Sequence, residues 1–414
     1  MTGRRVVVTG LGAVTPIGND IPTFWENLNA GTNGIARIAS FDASDLPVQI
    51  AAEVKGFAPE KRLDPRLAKR ADRFTQFALC AAAEAIADAA LDFSKEDRSR
   101  IGVIVGSGMG GVQTWEAQHA QFLERGPRRV SPLLIPMMIP DMASGQISIT
   151  YDLRGPNFCT VSACASGAHA TGEAFRHILH GDCDVMITGG SEAAVTKFTV
   201  AAFANMGALS KRNEEPARAS RPFDRDRDGF VIAEGCAIYI LEELGHAVRR
   251  GAPIYCELAG YGATADASHI TAPDPEARGA IDVMRQAITE AGLTPSDIDY
   301  INAHGTSTPL NDASEVKAIN DLFGEHAARL VVNSTKSMIG HGLGSAGAME
   351  FVATALAVKH GRVHATLNHE HPDEGVTLDF VKDRARDVKI RAALSNSFGF
   401  GGHNCCLCVK AWEQ

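Results

Sequence analysis

The chain has 414 residues, 45% hydrophobic and 21% charged, with a formal net charge of -9. That composition belongs to a globular protein and argues against a general nucleic-acid binder, so an acidic partner would have to meet a local basic patch. The length is ample for a buried core without a metal or disulfide staple, and no stretch reaches the about 20 apolar residues of a membrane span.

Met1 to Gly10 is a short basic start with a Val6-Val7-Val8 run too short for a signal peptide, which points to the cytoplasm. The first strand is read at Val6–Thr9, followed by Gly10-Leu11-Gly12, which lacks the third glycine of a dinucleotide loop. A helix follows at Phe74–Ala90, then a strand at Ile101–Val105. Gly106-Ser107-Gly108-Met109-Gly110-Gly111 fits G-x-G-x-x-G after that strand. The stretch beyond it reads as a helix, not as the second strand ending in an acid that nucleotide binding needs. Asp184–Thr188 reads as a strand. Asp224 to Gly229, DRDRDG, opens like a calcium loop, but Gly235 stands at the twelfth position and arginines interleave, so a charged loop is expected.

Strands are read at Tyr300–Ala303 and Leu330–Asn333. His364, His369 and His371 match no closed zinc set, and a solvated loop is expected there. Asn404 to Val409 reads as a buried strand in which Cys405, Cys406 and Cys408 pack as small hydrophobes. Nine cysteines, an odd number with no regular spacing, suggest free thiols in a reducing compartment, and no metal site is expected. Strands alternating with helices indicate an α/β protein with much parallel sheet. Ser162–His180 and Ile339–His360 echo each other, each running from a turn with one reactive residue into an apolar helix with small residues all round. Both read as buried central helices, and the echo hints at duplicated halves meeting near residue 250.

Three places carry chemistry. Cys164 lies in Val161-Ser162-Ala163-Cys164-Ala165-Ser166-Gly167, at a strand-to-helix turn. A helix N-terminus there favours thiolate, Ala163 and Gly167 leave room for a substrate carbonyl and a tight bend, and the turn's N–H groups can serve an oxyanion. On this segment alone an inert buried thiol is an open alternative. His304 follows a strand in NAHGTSTP, and His341 follows another in STKSMIGH. Lys336 and Glu350 sit in very apolar company and are expected to pair in the interior. A peptidase wants one Cys, one His and an orienting group; two neutral imidazoles suit a developing enolate, hence thioester condensation. Glycines flanking Phe400 permit large backbone swings, so Phe400 is a candidate gate.

At these residues the sequence resembles the β-ketoacyl-acyl carrier protein synthases, the elongating Cys-His-His type, closest to the synthase II branch. The motifs run in order over almost the whole chain: VVVTGLGAVTPIG at 6–18, GSGMGG at 106–111, GPRRVSPLLIP at 126–136, SACASG at 162–167, SRPFDRDRDGFVIAEG at 220–235, NAHGTSTPLND at 302–312, STKSMIGH at 334–341 and NSFGFGGHN at 396–404. The resemblance implies the thiolase fold, duplicated α/β halves in a five-layer α-β-α-β-α arrangement, usually as a homodimer. The halves would span 1–250 and 251–414 within one ketosynthase domain of about 3–411. It implies that Cys164 takes an acyl chain from a carrier protein, and that malonyl-carrier loses carbon dioxide to an enolate that attacks the acyl thioester. His304 and His341 are then the pair that polarises the malonyl carbonyl, Lys336 orders the site and Glu350 partners it beside the substrate. Thr306 and Thr308 meet the pantetheine arm or malonyl group, Met109 and Phe398 line the substrate pocket, and the N–H groups of Cys164 and Phe400 form the acyl oxyanion hole. No soluble cofactor is implied, because the carrier brings its own phosphopantetheine.

Three departures from the family pattern stand out. Ile339 replaces a frequent Thr beside His341 and is expected to remove a hydroxyl from the site. His403 also replaces a frequent Thr. Met206 and Gly207 replace residues that are often basic, leaving Arg66, Lys69, Arg70, Arg128 and Arg129 as candidate carrier contacts. A thiolase would need a second Cys in a C-x-G context, a type III synthase an Asn in place of His341, and a non-catalytic chain-length partner would lack Cys164. A polyketide ketosynthase of the same chemistry is the remaining alternative.

Overall fold

Runs of β-branched and small apolar residues, buried on both faces, form the long inner strands of one mixed sheet in the computed structural model, which describes residues 3–413. In chain order the strands of the sheet are β1 (Val6–Val14), β2 (Ile101–Gly106), β3 (Asn157–Phe158), β4 (Val185–Glu192) and β5 (Gly235–Glu243). Then come β6 (Cys256–Ala265), β7 (Tyr300–Asn302), β8 (Val331–Asn333), β9 (Asp379–Phe380), β10 (Ala392–Gly399) and β11 (His403–Ala411). The sheet order is β9-β8-β7-β10-β11-β6-β1-β5-β4-β2-β3.

The order contains the same pattern twice. From β3 inward, β3-β2-β4 are parallel and β4-β5-β1 antiparallel. From β8 inward, β8-β7-β10 are parallel and β10-β11-β6 antiparallel. The two patterns join through a short antiparallel stretch in which Val6–Val8 of β1 pair with Leu258–Cys256 of β6. Helices repeat in step: α1 (Arg73–Asp88) and α2 (Val112–Arg125), then α3 (Met142–Tyr151) and α4 (Ser166–His180) in the first half. The second half has α5 (Arg278–Glu290), α6 (Pro309–Phe323) and α7 (Ala346–His360). Helices α1 and α3 cover the outer face of one half-sheet and α5 that of the other, with α6 packed on α5, while α4 and α7 lie between them. This gives the five layers that the resemblance implies.

The central position of α7 follows from its sequence: every residue from Ala346 to Val358 is buried, so no polar stripe is left to face water. Its first turn meets that of α4 through small residues; a Cβ at Gly347 would lie 2.9 Å from Ala168 Cβ. Gly10-Leu11-Gly12 lies inside β1, because the strand runs on to Val14. A Cβ at Gly10 or Gly12 would stand 2.2 or 2.0 Å from a backbone oxygen of α1. Gly260 and Gly262 of β6 meet α5 in the same way, each at 2.1 Å. These glycine pairs therefore seat a helix on bare strand backbone.

Candidate active site

The nucleophile turn is locked by its own side chains. Ala163 has φ 50, a left-handed conformation that costs a non-glycine residue about 1–2 kcal/mol. Ser166 holds it there: its hydroxyl donates to Ala163 O at 2.7 Å and accepts from Ser162 N at 2.9 Å. The Ala163–Ala165 turn then runs into α4, leaving Cys164 buried at the helix entrance. The second half repeats the device: Leu343 has φ 51 and opens the turn before α7, where Ser345 donates to Gly342 O at 2.8 Å.

His304 leaves the end of β7. Its backbone N–H and that of Gly305 donate to the two oxygens of Glu315, both at 2.8 Å, with Glu315 projecting from α6. The Lys336 ammonium pairs with Glu350 and donates to His304 O at 2.7 Å and to His304 Nδ1 at 3.3 Å. His341 Nδ1 accepts from Leu343 N at 3.3 Å. Each imidazole therefore has a donor at Nδ1, which leaves its proton on Nε2. The two rings are 5.5 Å apart at 86°, with Phe398 against His304 and Phe230 edge-on to His341.

Burial and the Lys336 charge hold both imidazoles well below the ordinary histidine value, so both are neutral donors near neutral pH. Burial pushes the Glu350 carboxyl up to about 7 against the pull of Lys336, and pushes Glu315 up to about 7 as well.

One cavity of about 510 Å³ gathers Met109, Cys164, His304, Thr306, Thr308, His341, Phe398 and Phe400. The Thr306 and Thr308 hydroxyls bond each other at 2.9 Å on its wall. The backbone N–H of Phe400 faces the Cys164 sulfur, and Gly401 and Gly402 behind it have φ 87 and 73. Lys336 and Glu350 stand behind His304. Arg66, Lys69, Arg70, Arg128 and Arg129 are exposed and lie outside the cavity wall, whereas Met206 and Gly207 are on it.

Four expectations need correction. The helix entrance does not leave Cys164 acidic: burial pushes the thiol up to about 11, and Lys336 and the Phe400 N–H only partly offset it. Gly167 makes room for the facing turn rather than for substrate, since a Cβ there would lie 3.0 Å from Gly344 O. Ile339 is buried in the core with Phe24 and Met338, away from the cavity wall, so the hydroxyl it lacks is no loss to the site. The histidine cluster is not a solvated loop, because His364 and His369 are buried and only His371 is exposed. His364 shares a hydrogen bond with Thr335 at 3.0 Å.

The aspartate loop is a structural hub. Asp224 accepts from Arg221, Asp226 N, Glu370 N and His371 N, which fills its lone-pair positions although Asp226 and His371 lie close by. The sequence reading missed Glu315 and Glu192. Glu192 is a single acid inside the apolar stretch Val185–Val195, the signal that could have marked it, whereas Glu315 lies among Asp312, Lys317 and Asp321 and has no such signal. Glu192 explains GSGMGG: the N–H groups of Gly108 and Met109 do cradle an anion, but it is this carboxylate, at 2.7 and 3.1 Å.

A duplicated α/β sheet with one thiol and two neutral imidazoles on one cavity defines a thiolase-fold condensing enzyme. The chain belongs to the β-ketoacyl synthase family: residues 3–247 match its N-terminal domain and residues 255–370 its C-terminal domain. The 3-oxoacyl-[acyl-carrier-protein] synthase 2 of Staphylococcus aureus strain COL is 50% identical over 410 residues, 99% of each chain. That of Synechocystis sp. strain PCC 6803 is 51% identical over 410 residues, again 99% of each. Among solved structures, a type II polyketide ketosynthase in complex with its acyl-carrier protein is similar, with a TM-score of 0.92 and 34% identity over 99% of this chain and 100% of that one.

Proposed function

We propose that this protein is a β-ketoacyl-acyl carrier protein synthase of the synthase II type, elongating fatty acyl chains by decarboxylative condensation. The observation that carries the reading is the pair of Nε2–H imidazoles on the Cys164 cavity. The 50% identity to synthase 2 relatives over the full chain favours fatty acid over polyketide chemistry.

The Cys164 sulfur attacks the acyl-carrier thioester. A new S–C bond forms, the old one breaks, and the thiol proton ends on the departing carrier. Malonyl-carrier then enters. Its C–C bond breaks, releasing carbon dioxide, and the electron pair moves into an enolate whose oxygen receives both imidazole N–H groups. The enolate carbon attacks the acyl carbonyl, whose oxygen turns to the N–H groups of Cys164 and Phe400. Collapse breaks the C–S bond, and the Cys164 thiolate takes up a proton. Neutral imidazoles are the right form for this task, since imidazolium would also attract the malonyl carboxylate and stabilise the ground state. Lys336 and Glu350 orient His304; Thr306 and Thr308 hold the pantetheine arm; Met109 and Phe398 bound the acyl pocket; Phe400 gates it.

The reaction needs no cofactor of the protein's own, because the carrier brings the phosphopantetheine arm. Arg66, Lys69, Arg70, Arg128 and Arg129 are exposed cations suited to an acidic carrier. The boundary between the halves falls near residue 250, between β5 and β6. The chain works in the cytoplasm; among the described residues no helix is long and apolar enough to cross a membrane. It works as a homodimer, supported by the open edge of β3 with exposed Phe158 and Val161 beside it.

The test is a condensation assay with malonyl-carrier and acyl-carriers of graded length. β-Ketoacyl-carrier and carbon dioxide are the expected products, and their absence with every acyl-carrier would refute the reading. Cys164→Ser should abolish the acyl-enzyme; an adduct persisting on another cysteine would overturn the assignment of the nucleophile.

A further inference from the structure

Glu192 ends β4 with no exposed surface and carries no role in the reaction above. Its carboxylate collects four donors from two distant segments. Oε1 accepts from the Ser107 hydroxyl at 3.0 Å and Met109 N at 3.1 Å. Oε2 accepts from Gly108 N at 2.7 Å and Gly344 N at 3.0 Å. The first segment carries Met109, on the wall of the Cys164 cavity. The second follows Leu343, whose N–H fixes His341 Nδ1. They meet with no space between: a Cβ at Gly344 would stand 2.2 Å from Gly108 N and 2.6 Å from Glu192 Oε2.

We propose that Glu192 is a positioning residue that joins the acyl-pocket wall at Met109 to the turn that fixes the His341 ring, so that chain selection and malonyl decarboxylation depend on one carboxylate. An unpaired buried carboxylate would be expelled or neutralised; this one persists because two loops aim their N–H groups at it. Burial pushes it up to about 7, while the same four donors pull it down. A carboxylate is the only side chain of this shape with two oxygens that can each accept twice. The amide of Gln must turn its NH₂ toward two of those donors, which separates one loop from the other.

The proposal rests on the paired-imidazole reading, so the wild-type enzyme is the control: if it fails to decarboxylate malonyl-carrier, that reading falls first. For Glu192→Gln, acyl-Cys164 is titrated with acyl-carriers of graded length, and malonyl decarboxylation is measured per acylated site. A merely structural loss lowers the number of acylated sites but leaves the rate per site unchanged. The expected result is a per-site rate about tenfold lower, with the KM for malonyl-carrier retained and a shifted acyl-length profile. An unchanged per-site rate, or a change in only one of the two readouts, overturns the proposal. If Glu192→Gln does not fold, Ser107→Ala removes one donor from Oε1. Both readouts should then move in the same sense, and two unmoved readouts refute the link.

Discussion

Lys336 shows how one side chain sets the state of its neighbours. Its ammonium is buried, pairs with Glu350 and faces the His304 ring, and its charge lowers both active-site imidazoles in addition to burial. Lys336→Met removes the donor at His304 Nδ1, frees the ring to change tautomer and leaves Glu350 to take a proton. The expected outcome is a kcat lower by roughly 100-fold. The acid limb of the pH–rate profile should also move up toward the ordinary imidazole value of 6.5, since His304 then protonates more readily. Steady-state rates from acid to neutral pH check this, and an unmoved acid limb would remove Lys336 from control of the imidazoles. Cys164, His304, His341 and the Lys336–Glu350 pair were legible because each is a reactive or charged residue in a small-residue, apolar stretch. The acidity of Cys164 was not, because a turn at a helix entrance reveals the dipole but not the burial that outweighs it.

At the scale of elements, the echo between Ser162–His180 and Ile339–His360 was a true signal, and its physical content is the repeated device of a left-handed residue before a short turn and a helix. The glycine motifs were harder to read. Gly10-Leu11-Gly12 and GSGMGG resemble phosphate loops because glycine also serves close helix packing and the cradling of a buried carboxylate, and a linear sequence does not separate these uses. The seam between α1 and β1 gives a testable case. Glu84 on α1 accepts from Ala13 N at 3.0 Å and Ile21 N at 2.7 Å, and Asp88 accepts from Leu11 N at 2.8 Å. Burial raises Glu84 from 4.5 to about 7. A raised carboxyl favours the folded state fully below its unfolded value and loses that contribution as pH rises through the folded value. Stability measured against Glu84→Gln should therefore decline between about pH 4.5 and about 7 and level off above. The decline should be about 1–2 kcal/mol, after allowance for the solvent screening of a partly exposed group. Paired denaturant titrations check this, and a difference independent of pH would show that Glu84 ionises in the fold as it does in the unfolded chain.

Over the whole molecule, the duplication places the chemistry: the α4 turn from one half and the α7 turn from the other meet at the centre, each contributing what the other lacks. Cys164 comes from the first half, and both imidazoles come from the second. The sheet also has two ends. Both are edge strands, β9 at one end and β3 at the other, and on β3 both Asn157 and Phe158 are exposed. Beside it, Val161 is 60% exposed, and Ile149 of α3, the helix that packs on β3, is 73% exposed, an apolar surface next to the open strand edge. An unpaired edge with apolar flanks invites a second copy, whose β3 would continue the sheet by antiparallel pairing across a two-fold axis. Phe158→Glu places a charge on that edge without touching the cavity. Light scattering should then give the monomer mass for the variant and twice that mass for the wild type. Because β3 leads directly into the Cys164 turn, the monomeric variant should also acylate more slowly while keeping its circular dichroism. A wild-type monomer would refute the edge-to-edge dimer. A Phe158→Glu protein that remains dimeric would move the interface to another face.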